Sequence, residues 1–213
     1  MKVITVANQK GGTGKSTIAF NLAIAAMRDG LKTLLVNADL QQTALDVALV
    51  RAENDFKPTV LVANITSDVI HTELSKKYKD TYDLAIIDTG GRDSKAFRSA
   101  MAAADVILVP LLPSAPDLWA SQGTIKIAQE IQKARHSQVH IFCLLNQQVR
   151  NTIIGEETVE ILKGIGALSL ETILHYRQAY KRSFAEGKGV IEYKDREAVR
   201  EIEALWEEVC IWL

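Results

Sequence analysis

The chain has 213 residues, enough for one well-buried domain and short for two. Hydrophobic residues at 47%, charged ones at 24% and a formal net charge of −1 describe an ordinary globular protein and exclude a globally cationic one, so any nucleic-acid contact has to come from a local basic patch. Two distant cysteines without a C-x-x-C arrangement argue against a disulfide framework or zinc site; with no signal-peptide pattern and no apolar run near the roughly 18 residues of a membrane span, a soluble cytoplasmic location is expected.

The first predicted strand, Val3 to Ala7, runs into Lys10-Gly11-Gly12-Thr13-Gly14-Lys15-Ser16-Thr17, and a helix is expected from about Lys15 to Met27. Strand, glycine turn and helix in that order are what a phosphate-binding loop requires. Three glycines let backbone N–H groups close on an anion, and the helix adds its free amides and the positive end of its dipole. Lys15 would reach the β- and γ-phosphates, and the Ser16 hydroxyl would ligate Mg²⁺. An ordinary glycine-rich turn is the alternative, but composition and context agree on the phosphate loop. The generic pattern asks for a glycine five places before Gly14; Gln9 stands there, followed by a second lysine, Lys10.

A second strand is expected over Lys32–Asn37, leading to Ala38-Asp39-Leu40-Gln41-Gln42 and a helix from about Thr43 to Ala52. Asp39 lies where that strand delivers side chains to the phosphate edge of a parallel sheet; offsetting a helix dipole is its other reading. A short strand at Thr59–Val62 and an amphipathic helix at Ser67–Lys79 follow. Leu84 to Ile87 then ends in Asp88-Thr89-Gly90-Gly91, a buried strand whose terminal carboxylate would hold Mg²⁺ directly or through water.

Further on come a helix at Ser94–Ala103, a strand at Asp105–Val109 closed by Pro110, a long helix at Asp117–Ala134 and a strand at Val139–Leu145. Asn146 and Gln147, at that strand's carboxyl end, could bind a base edge or cap a loop. A short helix over Glu156–Lys163 and a mixed segment at Leu168–Leu174 precede a last quarter rich in cations. The final helix, Arg196–Leu213, carries a core-facing stripe of Ile202, Leu205, Trp206, Val209 and Trp212. Strands alternating with helices, without repeat or linker, give a single-domain α/β fold, doubly wound around a mostly parallel sheet.

These motifs resemble the ParA/MinD family of deviant-Walker P-loop ATPases, most closely its short plasmid-partition members, over nearly the whole chain. Residues 10–17 match the family's K-G-G-x-G-K-[ST]-T. The resemblance implies that Lys10 reaches across a nucleotide-sandwich homodimer to the partner's phosphates. Asp39 and Gln41 match the second acid and the Gln of D-x-D-P-Q, where the acid helps position the attacking water, and Asp88 matches the Walker B Asp. Asn37 and Leu40 replace that segment's first acid and its Pro, and Gly90-Gly91 replaces a more usual Pro-Pro.

The implied site therefore has Lys10, Lys15 and Asp39 in catalysis. Lys10, Gly11, Gly12, Thr13, Gly14, Lys15, Ser16, Thr17, Asn146 and Gln147 bind ATP, and Ser16, Asp39 and Asp88 hold Mg²⁺. The expected activity is slow ATP hydrolysis that resets an ATP-driven dimer. Arg177, Lys181, Arg182, Lys188, Lys194, Arg196 and Arg200 form the candidate surface for non-specific DNA, which would make the protein nucleoid-associated; a solvated helix face is the bland reading of those charges. A ParB-like centromere-binding activator is the implied partner, in plasmid or chromosome segregation or cargo positioning. Two other readings compete. A MinD-like membrane-cycling regulator would need a basic amphipathic final helix, which Glu201, Glu203, Glu207 and Glu208 make acidic. A P-loop metabolic kinase or ligase would need a substrate pocket where Lys10 argues for a dimer face.

Overall fold

The structure is a computed structural model that describes residues 1–135, 138–149, 160–164 and 167–213. Seven parallel strands form one sheet: β1 (Lys2–Val6), β2 (Thr33–Ala38), β3 (Leu61–Asn64), β4 (Leu84–Thr89), β5 (Val106–Leu111), β6 (His140–Leu145) and β7 (Leu168–Ser169). Their order is β3-β2-β4-β1-β5-β6-β7, so β1 and β4 are central neighbours. Their carboxyl ends deliver the glycine loop and Asp88 side by side, where parallel sheets bind ligands.

Alternate residues of the strands feed opposite faces. Ile4, Val6, Leu84, Ile86, Val106 and Leu108 pack under α1 (Lys15–Arg28), α2 (Thr43–Glu53) and two late helices, α6 (Gln178–Ala185) and α7 (Arg196–Cys210). Val3, Ala85, Ile87 and Ile107 pack on the other face against α3 (Ile70–Glu73), α4 (Lys95–Ala103) and α5 (Ala115–Ala134). Strands buried on both sides explain the unbroken apolar runs in the sequence.

Four details differ from the sequence expectations. The third strand sits at Leu61–Asn64, two residues late, because those four positions register with Leu34–Asn37 of β2 while Arg51 Nε ties back the Pro58 carbonyl at 2.7 Å. The amphipathic segment is α3 followed by a π-helical turn at Leu74–Tyr78 rather than one long helix. β5 continues through Pro110. That residue faces beyond the end of β1, where no ladder N–H is needed, and its carbonyl accepts from Asn8 Nδ2 at 2.8 Å. The last helix stops at Cys210, and Trp212 packs from the tail beyond it against His140 and Phe142. Of the expected helix over Glu156–Lys163, residues 160–164 are helical and the earlier part lies outside the described residues.

Candidate functional site: a phosphate loop at the centre of the sheet

Gly12 and Gly14 have φ of 78° and 89°, the left-handed region that glycine adopts without strain. Gly14 is also where Asn146 closes in: a Cβ there would stand 2.3 Å from Asn146 Nδ2. That amide donates to the Thr13 carbonyl at 2.8 Å, and Gln147 Nε2 to the Gly12 carbonyl at 3.3 Å. Asn146 and Gln147 thus brace the loop from β6, the capping alternative of the sequence reading, and both also line the cleft. The loop's entrance is tied down by Asn8. Its Nδ2 donates to the Pro110 carbonyl and Ser121 Oγ, and its Oδ1 accepts from the Lys10 N–H and the Thr124 hydroxyl. Sequence reading passed over Asn8, although a buried Asn between a strand and a glycine loop needs four such partners.

Beside this loop opens a cleft of ≈ 810 Å³, within the range of nucleotide-sized pockets. Its floor is Gly11, Gly12, Gly14, Lys15, Ser16 and Thr17; Asp39 and Gly90 form one side; Leu174 to Arg177, Tyr180 and Lys181 form the far wall. Thr13 is fully buried beneath the loop. Lys15 is nearly buried, with its Nζ 3.2 Å from the Lys10 carbonyl. Burial lowers its pKa, and Asp88 and Asp39 counteract that. A buried ammonium whose one hydrogen bond among the described residues is to a carbonyl is stabilised by an anion, as a phosphate would supply.

Asp88 is the converse. It is fully buried at the end of β4, and neither carboxylate oxygen makes a hydrogen bond of normal geometry. Burial pushes its pKa up to about 7; the nearby Ser16 hydroxyl and Lys15 favour the charged form, and Asp39 opposes it. An orphaned carboxylate next to a hydroxyl at a phosphate loop suits Mg²⁺, a hard cation that takes oxygen ligands. Ser16 and Asp88 would hold the ion, which would supply charge neutralisation for the phosphates. Asp39 sits half-buried at the rim, its Oδ1 accepting the Gln41 N–H at 3.1 Å. A Cβ at Gly90 would come within 3.2 Å of that Oδ1, so glycine at position 90 gives Asp39 its room.

Lys10 lies outside the cleft. Its half-exposed ammonium reaches toward Asp117 in the first turn of α5, with Nζ 3.4 Å from Oδ1, and Asp117 in turn accepts from the Ser114 hydroxyl at 2.6 Å. The cationic cluster is not one surface. Arg177 is turned inward: Nε and Nη2 donate to Glu201 Oε1 at 2.9 and 2.7 Å, with Glu197 3.7 Å away, and these carboxylates raise its pKa. Lys181 lies over the Tyr176 ring, 4.8 Å from its centroid, on the cleft wall. Lys188 pairs with Glu186 at 3.0 Å and Arg200 with Glu197 at 3.4 Å. Arg182, Lys194 and Arg196 are exposed, and among the described residues none forms an ion pair.

Glu201, which the sequence marks only as one acid of the last helix, is a second residue whose role sequence reading missed. It also accepts from the His175 N–H and Nδ1 and from the Tyr180 hydroxyl, fixing the segment that forms the far wall. About two turns further along the same helix face, Glu208 accepts the Glu171 and Thr172 N–H groups at 2.7 and 3.0 Å. Two of the four acids that make the last helix acidic, Glu201 and Glu208, are thus structural clamps. Among the described residues no helix is long and apolar enough to cross a membrane.

A seven-stranded parallel sheet with a lysine-bearing glycine loop at one central strand and a buried aspartate at its neighbour defines a P-loop nucleotide-binding protein. The chain belongs to the CobQ/CobB/MinD/ParA nucleotide-binding domain family, which matches residues 4–190. It is 29% identical to Maintenance of carboxysome distribution protein A of Halothiobacillus neapolitanus, over 97% of this chain and 95% of that one. It is 24% identical to Protein ParA of Rhizobium radiobacter, covering 92% and 88%. Among solved structures, a Cyanothece McdA–ATP complex superposes with a TM-score of 0.80 at 17% identity, covering 99% and 96% of the two chains, and so shares the fold.

Proposed function

We propose that the protein is a ParA-type positioning ATPase in which Mg-ATP joins two copies face to face and slow hydrolysis separates them. The observation that carries this reading is the division of labour between the two loop lysines. Lys15 is buried in the cleft and wants an anion; Lys10 stands outside it, half-exposed, its ammonium 3.4 Å from Asp117 and in no other ion pair among the described residues. A lysine so placed can leave Asp117 for a phosphate carried by a facing copy, which ties dimerisation to the nucleotide much as an arginine finger does. The similarity to a carboxysome-distribution protein and to ParA supports a role in spacing or segregating a cargo. Asp39 positions the attacking water, and Asp88 with Ser16 holds Mg²⁺. A ParB-like or cargo-borne partner stimulates turnover.

Sizing the protein by light scattering with ADP and with a slowly hydrolysed ATP analogue tests this. The wild type should double in mass only with the analogue and Mg²⁺. Lys15→Ala should abolish nucleotide binding. Lys10→Ala should bind nucleotide yet stay monomeric, and a Lys10→Ala protein that dimerises normally would sink the sandwich reading.

Non-specific DNA retention by the dimer is part of the same proposal, with Arg182, Lys194 and Arg196 as its exposed contacts, duplicated across two copies. Arg182→Ala with Arg196→Ala should weaken DNA retention in the presence of the ATP analogue and flatten its salt dependence while leaving dimerisation unchanged. Retention that ignores both the substitutions and salt would remove DNA from the proposal. Arg177 is unsuited to such a test, because its loss would strip Glu201 of its main partner.

A further inference from the structure

Asn37 occupies the place of an acid in the pattern of this family, and the structure gives its amide a task no carboxylate could perform. The residue is fully buried at the end of β2, in register with Asp88 of β4 on one side and Asn64 of β3 on the other. Its Nδ2 donates to the Asp39 carbonyl at 2.9 Å and to Asn64 Oδ1 at 2.8 Å. Its Oδ1 faces the Asp39 N–H at 3.4 Å. The Asp39 carbonyl, which can only accept, fixes which end of Asn37 is the amide.

Two consequences follow from the hydrogen count. Both amide hydrogens are committed, so Asn37 offers none to Asp88, whose two oxygens make no hydrogen bond of normal geometry and have only the Ser16 hydroxyl and Lys15 nearby to favour their charge. The Asp39 backbone is held at its carbonyl and approached at its N–H, which sets the turn through Gln41 and Gln42 that presents the Asp39 carboxylate to the cleft.

We propose that Asn37, braced by Asn64, is a positioning residue for the ATPase site: it orients Asp39 and, by spending its hydrogens elsewhere, reserves Asp88 for Mg²⁺. The inference rests on the ATPase reading for what Asp39 does, and on geometry alone for how it is held. An aspartate at position 37 would set a carboxylate against the Asp39 carbonyl and add a second buried negative charge beside Asp88.

Two variants test it with two readouts. In the nucleotide-free protein, Asn37→Asp and Asn64→Leu should speed amide exchange at Gln41 and Gln42 at least tenfold without unfolding the domain, whereas Asn64→Asp, which keeps an acceptor for the amide, should stay near wild type. In Mg-ATP, turnover should fall about tenfold or more in the first two variants, as when an outer partner of a metal site is removed, with KM for ATP little changed. The Mg²⁺ concentration for half-maximal nucleotide binding should rise in Asn64→Leu, because the freed amide hydrogen can then turn to Asp88. Unchanged exchange in both variants, or an Asn37→Asp protein with equal or faster turnover, would overturn the inference and make Asn37 a tolerated replacement. A wild type that does not hydrolyse ATP would instead defeat the functional reading, while the exchange data would still decide how Asp39 is held.

Discussion

Arg51→Ala is expected to lower stability by about 3–5 kcal/mol, the usual cost of breaking a buried ion pair by removing one partner. Arg51 is 1% exposed, yet nothing around it in sequence marks it as interior. Its guanidinium meets Glu192 in a fork, Nη1 to Oε2 at 2.7 Å and Nη2 to Oε1 at 2.8 Å, and also donates to the carbonyls of Pro58 and Gly187. One side chain therefore joins α2, the approach to β3 and a 3₁₀ turn, Val190–Glu192, that precedes α7. Lysine cannot reproduce a planar fork, so Arg51→Lys should recover little. Gly187 has φ of 75°, and a Cβ there would lie 2.6 Å from the Arg51 nitrogen, so Gly187→Ala should damage the same junction from the other side. Urea unfolding measures all three; a midpoint for Arg51→Ala within experimental error of wild type would show the junction to be dispensable.

Asp88→Asn should act in opposite directions on stability and on ligand response. Asp88 titrates at about 7 in the folded protein because burial disfavours its charge, against 3.8 for the free side chain. A raised carboxyl pKa means the native state keeps a proton that the unfolded chain releases. The associated stability is full below about pH 4 and is lost as pH rises through 7. The nucleotide-free wild type should accordingly weaken between pH 5 and pH 8. Asn has no such slope, and at pH 8 the variant should be the more stable of the two by up to about 4 kcal/mol. With Mg-ATP the order should reverse, since ligand binding stabilises only the protein that can hold the complex. Thermal melts at pH 5, 6, 7 and 8, with and without Mg-ATP, give both comparisons. A variant that melts below wild type at pH 8 without ligand would contradict the view that Asp88 is an unsatisfied charge awaiting a cation.

Much of the architecture was legible because its signals are local. Apolar runs such as Leu84–Ile87 and Val106–Val109 mark strands buried on both faces, and two of the loop's three glycines, Gly12 and Gly14, stand where φ is positive. Asp88 was readable because it ends such a run. What escaped were partnerships across the chain. Arg177 looked like one more surface cation until Glu201 was found to hold it. Arg51 and Glu192 each look solvent-exposed in sequence, and it is their meeting that lets Arg51 be buried. Asn37 looked like a lost acid, and only the positions of the Asp39 carbonyl and Asn64 show what an amide gains there. Pro110 looked like a strand terminator because its missing N–H matters only where a neighbouring strand would accept it, and β1 has already ended.

The far wall of the nucleotide cleft has a temporal consequence. It comes from residues 174–181 and Ile202, while the loop that would hold the phosphates is complete by residue 17. The contacts that seat this late segment span almost the whole chain: the Val190 N–H bonds Asn21 Oδ1 across 169 positions and Arg51 reaches Glu192 across 141. Contacts of such separation form slowly and late in folding. During synthesis the phosphate loop therefore leaves the ribosome long before the cleft can close on a base. ATP, by favouring the docked state of this late segment, is expected to help complete the domain that binds it.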